Sequence, residues 1–104
     1  MSKIKIKSEY HDLDKYDCNI GSKYYCKKGT NIIHNSYGPA VIWKDGTKFY
    51  YINNKLHKLD GPAIIWPDGY TEYCINGEYL SKEQFEMHPE RLKFLGKDYL
   101  LCLK

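Results

Sequence analysis

The chain has 104 residues, 42% of them hydrophobic and 15% aromatic, with 11 Tyr, 3 Phe and 2 Trp. That size is one domain near the lower limit for a self-supporting core, and the aromatic weighting favours pleated sheet. A net charge of +3 from 16 basic and 13 acidic residues is too small and too scattered for a dedicated nucleic-acid stripe, and no stretch is long and apolar enough to span a membrane.

From the start of the chain, Lys3, Ile4, Lys5, Ile6 and Lys7 alternate, which predicts an edge strand whose lysines discourage pairing with another sheet. The segment lacks the apolar core of a secretory signal, so a cytoplasmic chain with reduced thiols is expected. Cys18, Cys26, Cys74 and Cys102 show no C-x-x-C spacing and are expected to pack as small core residues, without disulfide or metal.

The dominant signal is internal repetition. Residues 34–56 read HNSYGPAVIWKDGTKFYYINNKL and residues 57–79 read HKLDGPAIIWPDGYTEYCINGEY, with 11 of 23 positions identical. The identities fall on His34/His57, Gly38-Pro39-Ala40/Gly61-Pro62-Ala63, Ile42/Ile65, Trp43/Trp66, Asp45-Gly46/Asp68-Gly69, Tyr50/Tyr73, Ile52/Ile75 and Asn53/Asn76. Residues 11–33 form a degenerate earlier unit, with His11 placed 23 residues before His34 and with Tyr24-Tyr25 and Lys28-Gly29 echoing the second strand and its turn.

Each unit has the grammar of a hairpin. Apolar runs flank Asp-Gly, which predicts a two-residue type I′ turn, and Asn53-Asn54 or Asn76-Gly77 predicts a second. Pro39 and Pro62 belong at strand starts, where no N–H is needed. With a two-residue turn, Val41 faces Tyr50 and Ile42 faces Phe49. Val41, Trp43, Tyr50 and Ile52 then share the core face, and Ala40, Ile42, Phe49 and Tyr51 share the other. A three-residue turn inverts that parity.

The C-terminal part, residues 80–104, is expected to cover the sheet. Ser81-Lys82-Glu83-Gln84 matches a capping box, Pro89 divides the segment into one short helix ending near Met87 and a second turn or short helix from Glu90 to Leu95, and residues 99–103 predict a final strand. The fold expected is therefore mainly β: one domain, an antiparallel meander of repeated hairpins with a short C-terminal helical segment.

No motif for a nucleophile, a metal or a phosphate loop is present, so neither enzyme activity nor cofactor is expected. His34 and His57 read as repeated structural groups that bond a loop carbonyl of the next unit. The Asp residues serve turns.

The 23-residue period with Asp-Gly, Tyr and Asn-Gly resembles MORN repeats. It is closer to the His-x-x-Asp-Gly-Pro-Ala variant arrays plentiful in large phages and giant viruses. Tyr37 at the Asp60 position, Asn54 at the Gly77 position and the Gly-Pro-Ala triplet depart from one or other pattern. The resemblance implies a scaffold or contact surface without catalytic residues, and a virus-encoded protein that binds and blocks a host defence protein. The contact residues expected are Tyr37, Ile42, Phe49 and Tyr51, which depart from the repeat or lie on the divergent face. The alternatives are a nucleic-acid-binding sheet with Lys23, Lys27, Lys28 and Lys48 beside Phe49 and Tyr51, and self-assembly into a homodimer through open ends.

Overall fold

The computed structural model describes residues 3–18 and 21–96. The chain is mainly antiparallel β with two short helices. One sheet has eight strands: β1 (Lys3–Ile6), β2 (Leu13–Cys18), β3 (Lys23–Lys27), β4 (Val41–Ile42), β5 (Lys48–Phe49), β8 (Ile64–Ile65), β9 (Thr71–Ile75) and β10 (Glu78–Leu80), side by side in that order. A separate ladder joins β6 (Tyr51–Ile52) to β7 (Lys55–Leu56). The result is an elongated body of 54 × 30 × 20 Å.

Turn chemistry sets the register. The Gly46 N–H donates to the Trp43 carbonyl, and the Trp43 N–H to the Thr47 carbonyl, both at 2.9 Å. The loop is thus the three residues Lys44, Asp45 and Gly46, with Gly46 at φ +99°. This is a type I turn closed by a left-handed residue, and it replaces the two-residue turn expected from Asp-Gly. The Asp45 carboxylate fixes it by accepting from the Thr47 N–H at 2.8 Å and hydroxyl at 2.7 Å. The Trp66–Tyr70 and Cys18–Ser22 loops close through the same two bonds.

The two-residue turn with positive φ sits instead at the Asn pairs. Asn53 and Asn54 have φ of 51° and 68°, Asn76 and Gly77 of 53° and 84°.

The register corrects the expected faces. Val41 pairs with Phe49 and Ile42 with Lys48. Val41, Trp43, Thr47 and Phe49 therefore share one side, while Ala40, Ile42, Lys48 and Tyr50 share the other.

The N-terminal unit, read from sequence as half a repeat, forms a hairpin of β2 and β3. Its strands match those of the next unit at an offset of 25, because its closing turn is two residues longer. The Tyr25 carbonyl accepts from the N–H of His34 nine residues on, the Tyr50 carbonyl from that of His57 seven residues on.

Part of the core runs along the sheet as a row in which Tyr25, Ala40 and Ala63 are buried and Tyr50, Tyr73 and Leu80 half-buried. The register brings Tyr25, Ala40, Tyr50, Ala63, Tyr73 and Leu80 across successive strands. Large and small residues alternate, and both alanines have no exposed surface. A tyrosine on each side leaves space for one methyl, which explains the Ala of Gly-Pro-Ala.

Helix α1 (Lys82–Glu86) starts at the expected capping box: the Gln84 N–H donates to the Ser81 hydroxyl, and the Gln84 side chain accepts from the Ser81 N–H. It docks through buried Phe85, whose ring lies 4.5 Å from that of Tyr73. Helix α2 (Pro89–Leu95) has Pro at its first position and His88 as cap. The expected final strand at 99–103, and Cys102, lie outside the described residues.

Candidate interaction surface

On the sheet face opposite the tyrosine row, aligned strands bring aromatic residues together. One row reads Lys5, Tyr16, Tyr24, Val41, Phe49, Ile64 and Glu72. The next row on that face holds Trp43, Thr47, Trp66 and Tyr70, placed by the repeated turns. The rings touch: Trp43 to Phe49 at 4.6 Å, Trp66 to Tyr70 at 5.2 Å and Tyr16 to Tyr24 at 5.2 Å. Thr47, aligned between the two tryptophans, is fully buried, yet Trp43 and Tyr70 remain 46% and 60% exposed. A furrow of about 290 Å³ lies beside Tyr24 and Val41, lined also by Lys3, Cys26 and Ile33.

The four residues expected to make contacts are split by the turn type. Phe49 is on this aromatic face, half-buried against Trp43. Ile42 points to the opposite face, paired with Lys48. Tyr51 is half-buried in β6, where its carbonyl takes the Asn35 N–H at 3.0 Å. Tyr37 stands in the loop before β4, 54% exposed, stacked on Tyr10 with its hydroxyl on Asp12. Sequence reasoning missed Trp43, Trp66 and Tyr70. Their signal was present in the repeated Trp, but the turn assignment sent it to the core.

The electrostatics are local. Lys5 pairs with Asp14 at 3.2 Å, Lys15 with Glu9 at 3.1 Å, Lys58 with Asp60 at 2.7 Å, and Lys23 lies 3.9 Å from Asp17. Asp14 is buried, and its carboxyl is held below the usual range chiefly by the Gly29 N–H at 2.8 Å, with Lys5 adding to it. The basic face imagined around Phe49 and Tyr51 does not form as drawn, because Lys48 and Phe49 point to opposite sides.

His34 and His57 do repeat a structural bond, with a different partner from the carbonyl expected. Each Nδ1 accepts a backbone N–H, from Asn53 at 3.1 Å and Asn76 at 3.0 Å, within its own unit. Burial holds both imidazoles below their ordinary pKa. Cys74 is fully buried, and burial raises its thiol to about 11, so it is a neutral packing group at physiological pH. Among the described residues no three His, Cys, Asp or Glu side chains are grouped to hold a metal, and no helix is long and apolar enough to cross a membrane.

Compared with known protein families, curated proteins and solved structures, the chain matches none.

Proposed function

We propose that the chain is a non-enzymatic protein-binding module that uses the Trp43, Phe49, Trp66 and Tyr70 face. One observation carries this reading: the cluster keeps large aromatic surface in solvent on a rigid sheet, with Trp43 and Tyr70 about half exposed or more. Aromatic side chains supply contact area at low entropic cost and are enriched at protein interfaces. The likeness of the repeats to arrays of large phages and giant viruses is what supports a host protein as the partner that is bound and blocked.

A second reading has its own support at one end of this face. The Lys3 ammonium lies 4.7 Å from the Tyr16 ring centroid and 5.7 Å from that of Tyr24. A stacked tyrosine pair under a lysine is also how a base and a phosphate are held. The ion pairs above leave that site with little surrounding positive charge, which favours the protein partner.

Affinity capture from host lysate tests the two, with Trp43→Ala/Tyr70→Ala as the comparison, its fold checked by circular dichroism. The expected result is a stoichiometric protein that resists nuclease and is lost with the variant. Capture that disappears on nuclease treatment, or falls steeply with salt, would move the assignment to nucleic acid. Equal capture by both forms would remove this face from consideration.

A further inference from the structure

Tyr25, Tyr50 and Tyr73 hold equivalent places in the tyrosine row, but what lies on each ring differs. Tyr10 stands 5.6 Å from Tyr25 and is itself stacked on Tyr37 at 4.6 Å and 12°, with the Tyr37 hydroxyl donating to Asp12 at 3.0 Å. Phe85 covers Tyr73 at 4.5 Å. Over Tyr50 lies the Lys58 ammonium, 4.5 Å from the centroid and bonded to Asp60 at 2.7 Å. Beside it opens a cavity of about 390 Å³, lined by Tyr37, Tyr50, Leu59, Asp60 and Phe94.

The missing ring has a cause in the sequence. Counting back from the strands, Asn35 stands where the N-terminal unit has Tyr10. Its amide is short and turned inward: Nδ2 donates to the Pro39 carbonyl at 3.1 Å, Oδ1 accepts from the Tyr37 N–H at 2.8 Å, and the residue is buried. The array therefore covers its first and third tyrosines with a ring from its own chain, whereas the middle one carries only the Lys58 ammonium and stands beside open space.

We propose that the cavity over Tyr50 receives an aromatic side chain, best a tyrosine, from the protein partner. This rests on the reading of the chain as a protein-binding module, and it places a second contact on the sheet face opposite Trp43 and Tyr70. The cavity lies in the ~300–1,000 Å³ range of small ligand sites. The rings of Tyr37, Tyr50 and Phe94 are on its walls, with the polar side chains of Ser36, His57, Lys58 and Asp60 among them, a mixed lining that suits a ring with a hydroxyl better than a purely aliphatic group. An incoming ring finds Tyr37, Tyr50 and Phe94 for edge or stacked contact. Its hydroxyl finds the Asp60 carboxylate, as the Tyr37 hydroxyl finds Asp12 in the neighbouring gap. The Lys58 ammonium, already placed over one ring, is positioned to lie against a second.

The test needs no partner. The full chain, labelled with ¹⁵N, is titrated with N-acetyl-tyrosine amide and, separately, with N-acetyl-leucine amide. The tyrosine probe is expected to shift the amides of residues 35–38 and 57–60 saturably, and the leucine probe to leave them in place. Ser36 is exposed and borders the cavity, so Ser36→Trp should plug it and weaken the tyrosine probe roughly tenfold. Equal response to both probes, shifts elsewhere, or no shift in either the wild type or Tyr99→Ala would overturn the site, whether or not Ser36→Trp folds. A response that appears only in Tyr99→Ala would put the chain's own tyrosine there and overturn the partner assignment. A partner captured through Trp43 and Tyr70 while the tyrosine probe shifts nothing would sink the cavity proposal and leave protein binding standing.

Discussion

Two residue types recur in every clear unit for reasons that can be tested separately. The histidine works only while neutral, because its Nδ1 accepts the N–H of Asn53 or Asn76. Burial lowers the folded pKa of both His34 and His57 below the ordinary value of about 6.5. Just under that value the unfolded chain binds more protons than the folded one, so stability rises with pH across the window. The thermal midpoint should be full above the ordinary value, fall as pH drops towards the folded pKa, and level off below it. In His34→Ala/His57→Ala the slope should flatten, and stability near neutral pH should drop by about 1 kcal/mol per imidazole. A slope unchanged in the double variant would assign it to the carboxylates instead. The turn glycine is a conformational requirement: a Cβ at Gly46 meets nothing within 4 Å, yet φ is +99°. Gly46→Ala should therefore cost about 1–2 kcal/mol in chemical denaturation. Gly38→Ala, equally open but without positive φ, should be within about 0.5 kcal/mol of wild type.

At the scale of the element, the repeat was legible and its parity was not. The hairpins, the prolines ahead of the strands, the capping box at Ser81 and the helix break at Pro89 all follow from local rules. Asp-Gly, however, serves both a two-residue I′ turn and a three-residue loop that ends in a left-handed glycine. What selects the second is the Asp45 carboxylate reaching forward to Thr47, and Asp68 reaching to Tyr70 at 3.0 Å. One residue of difference exchanged the faces, and with them the reading of Trp43. The N-terminal hairpin was obscured for another reason: Leu13, Asp14 and Lys15 replace Gly-Pro-Ala, and the longer turn breaks the 23-residue spacing. The alternation of tyrosine and alanine along the inner row yields a prediction at this scale. Ala63 lies between Tyr50 and Tyr73 with no exposed surface, so Ala63→Val must push at least one ring. A loss of about 1–3 kcal/mol is expected in denaturant unfolding. A neutral result would mean that the row is looser than its burial implies.

For the whole molecule, the meander leaves a strand at each end, and the two ends are finished differently. At one end α1 docks against β9 and β10, with Phe85 buried on Tyr73. At the other, β1 pairs with β2 and, among the described residues, with no further strand. Its side chains are Lys3, Ile4, Lys5 and Ile6, and Ile4 is 64% exposed. An apolar residue in an edge strand invites edge-to-edge pairing, and flanking lysines oppose it by charge and by the loss of solvation on contact. Lys5 is committed to buried Asp14, so opposition at the edge falls to Lys7 and to Lys3, whose ammonium keeps its charge while lying over the Tyr16 and Tyr24 rings. Lys3→Val/Lys7→Val retains the Asp14 pair while removing two of three positive charges from the edge. The expected outcome is a mass by light scattering that stays monomeric and constant with concentration in wild type and rises with concentration in the variant. Added salt should raise the wild-type mass in the same direction, because screening weakens the repulsion between edges. A wild type that already dimerises in a salt-independent way would show that this end of the array is an interface in its own right, with its lysines facing solvent outside the contact.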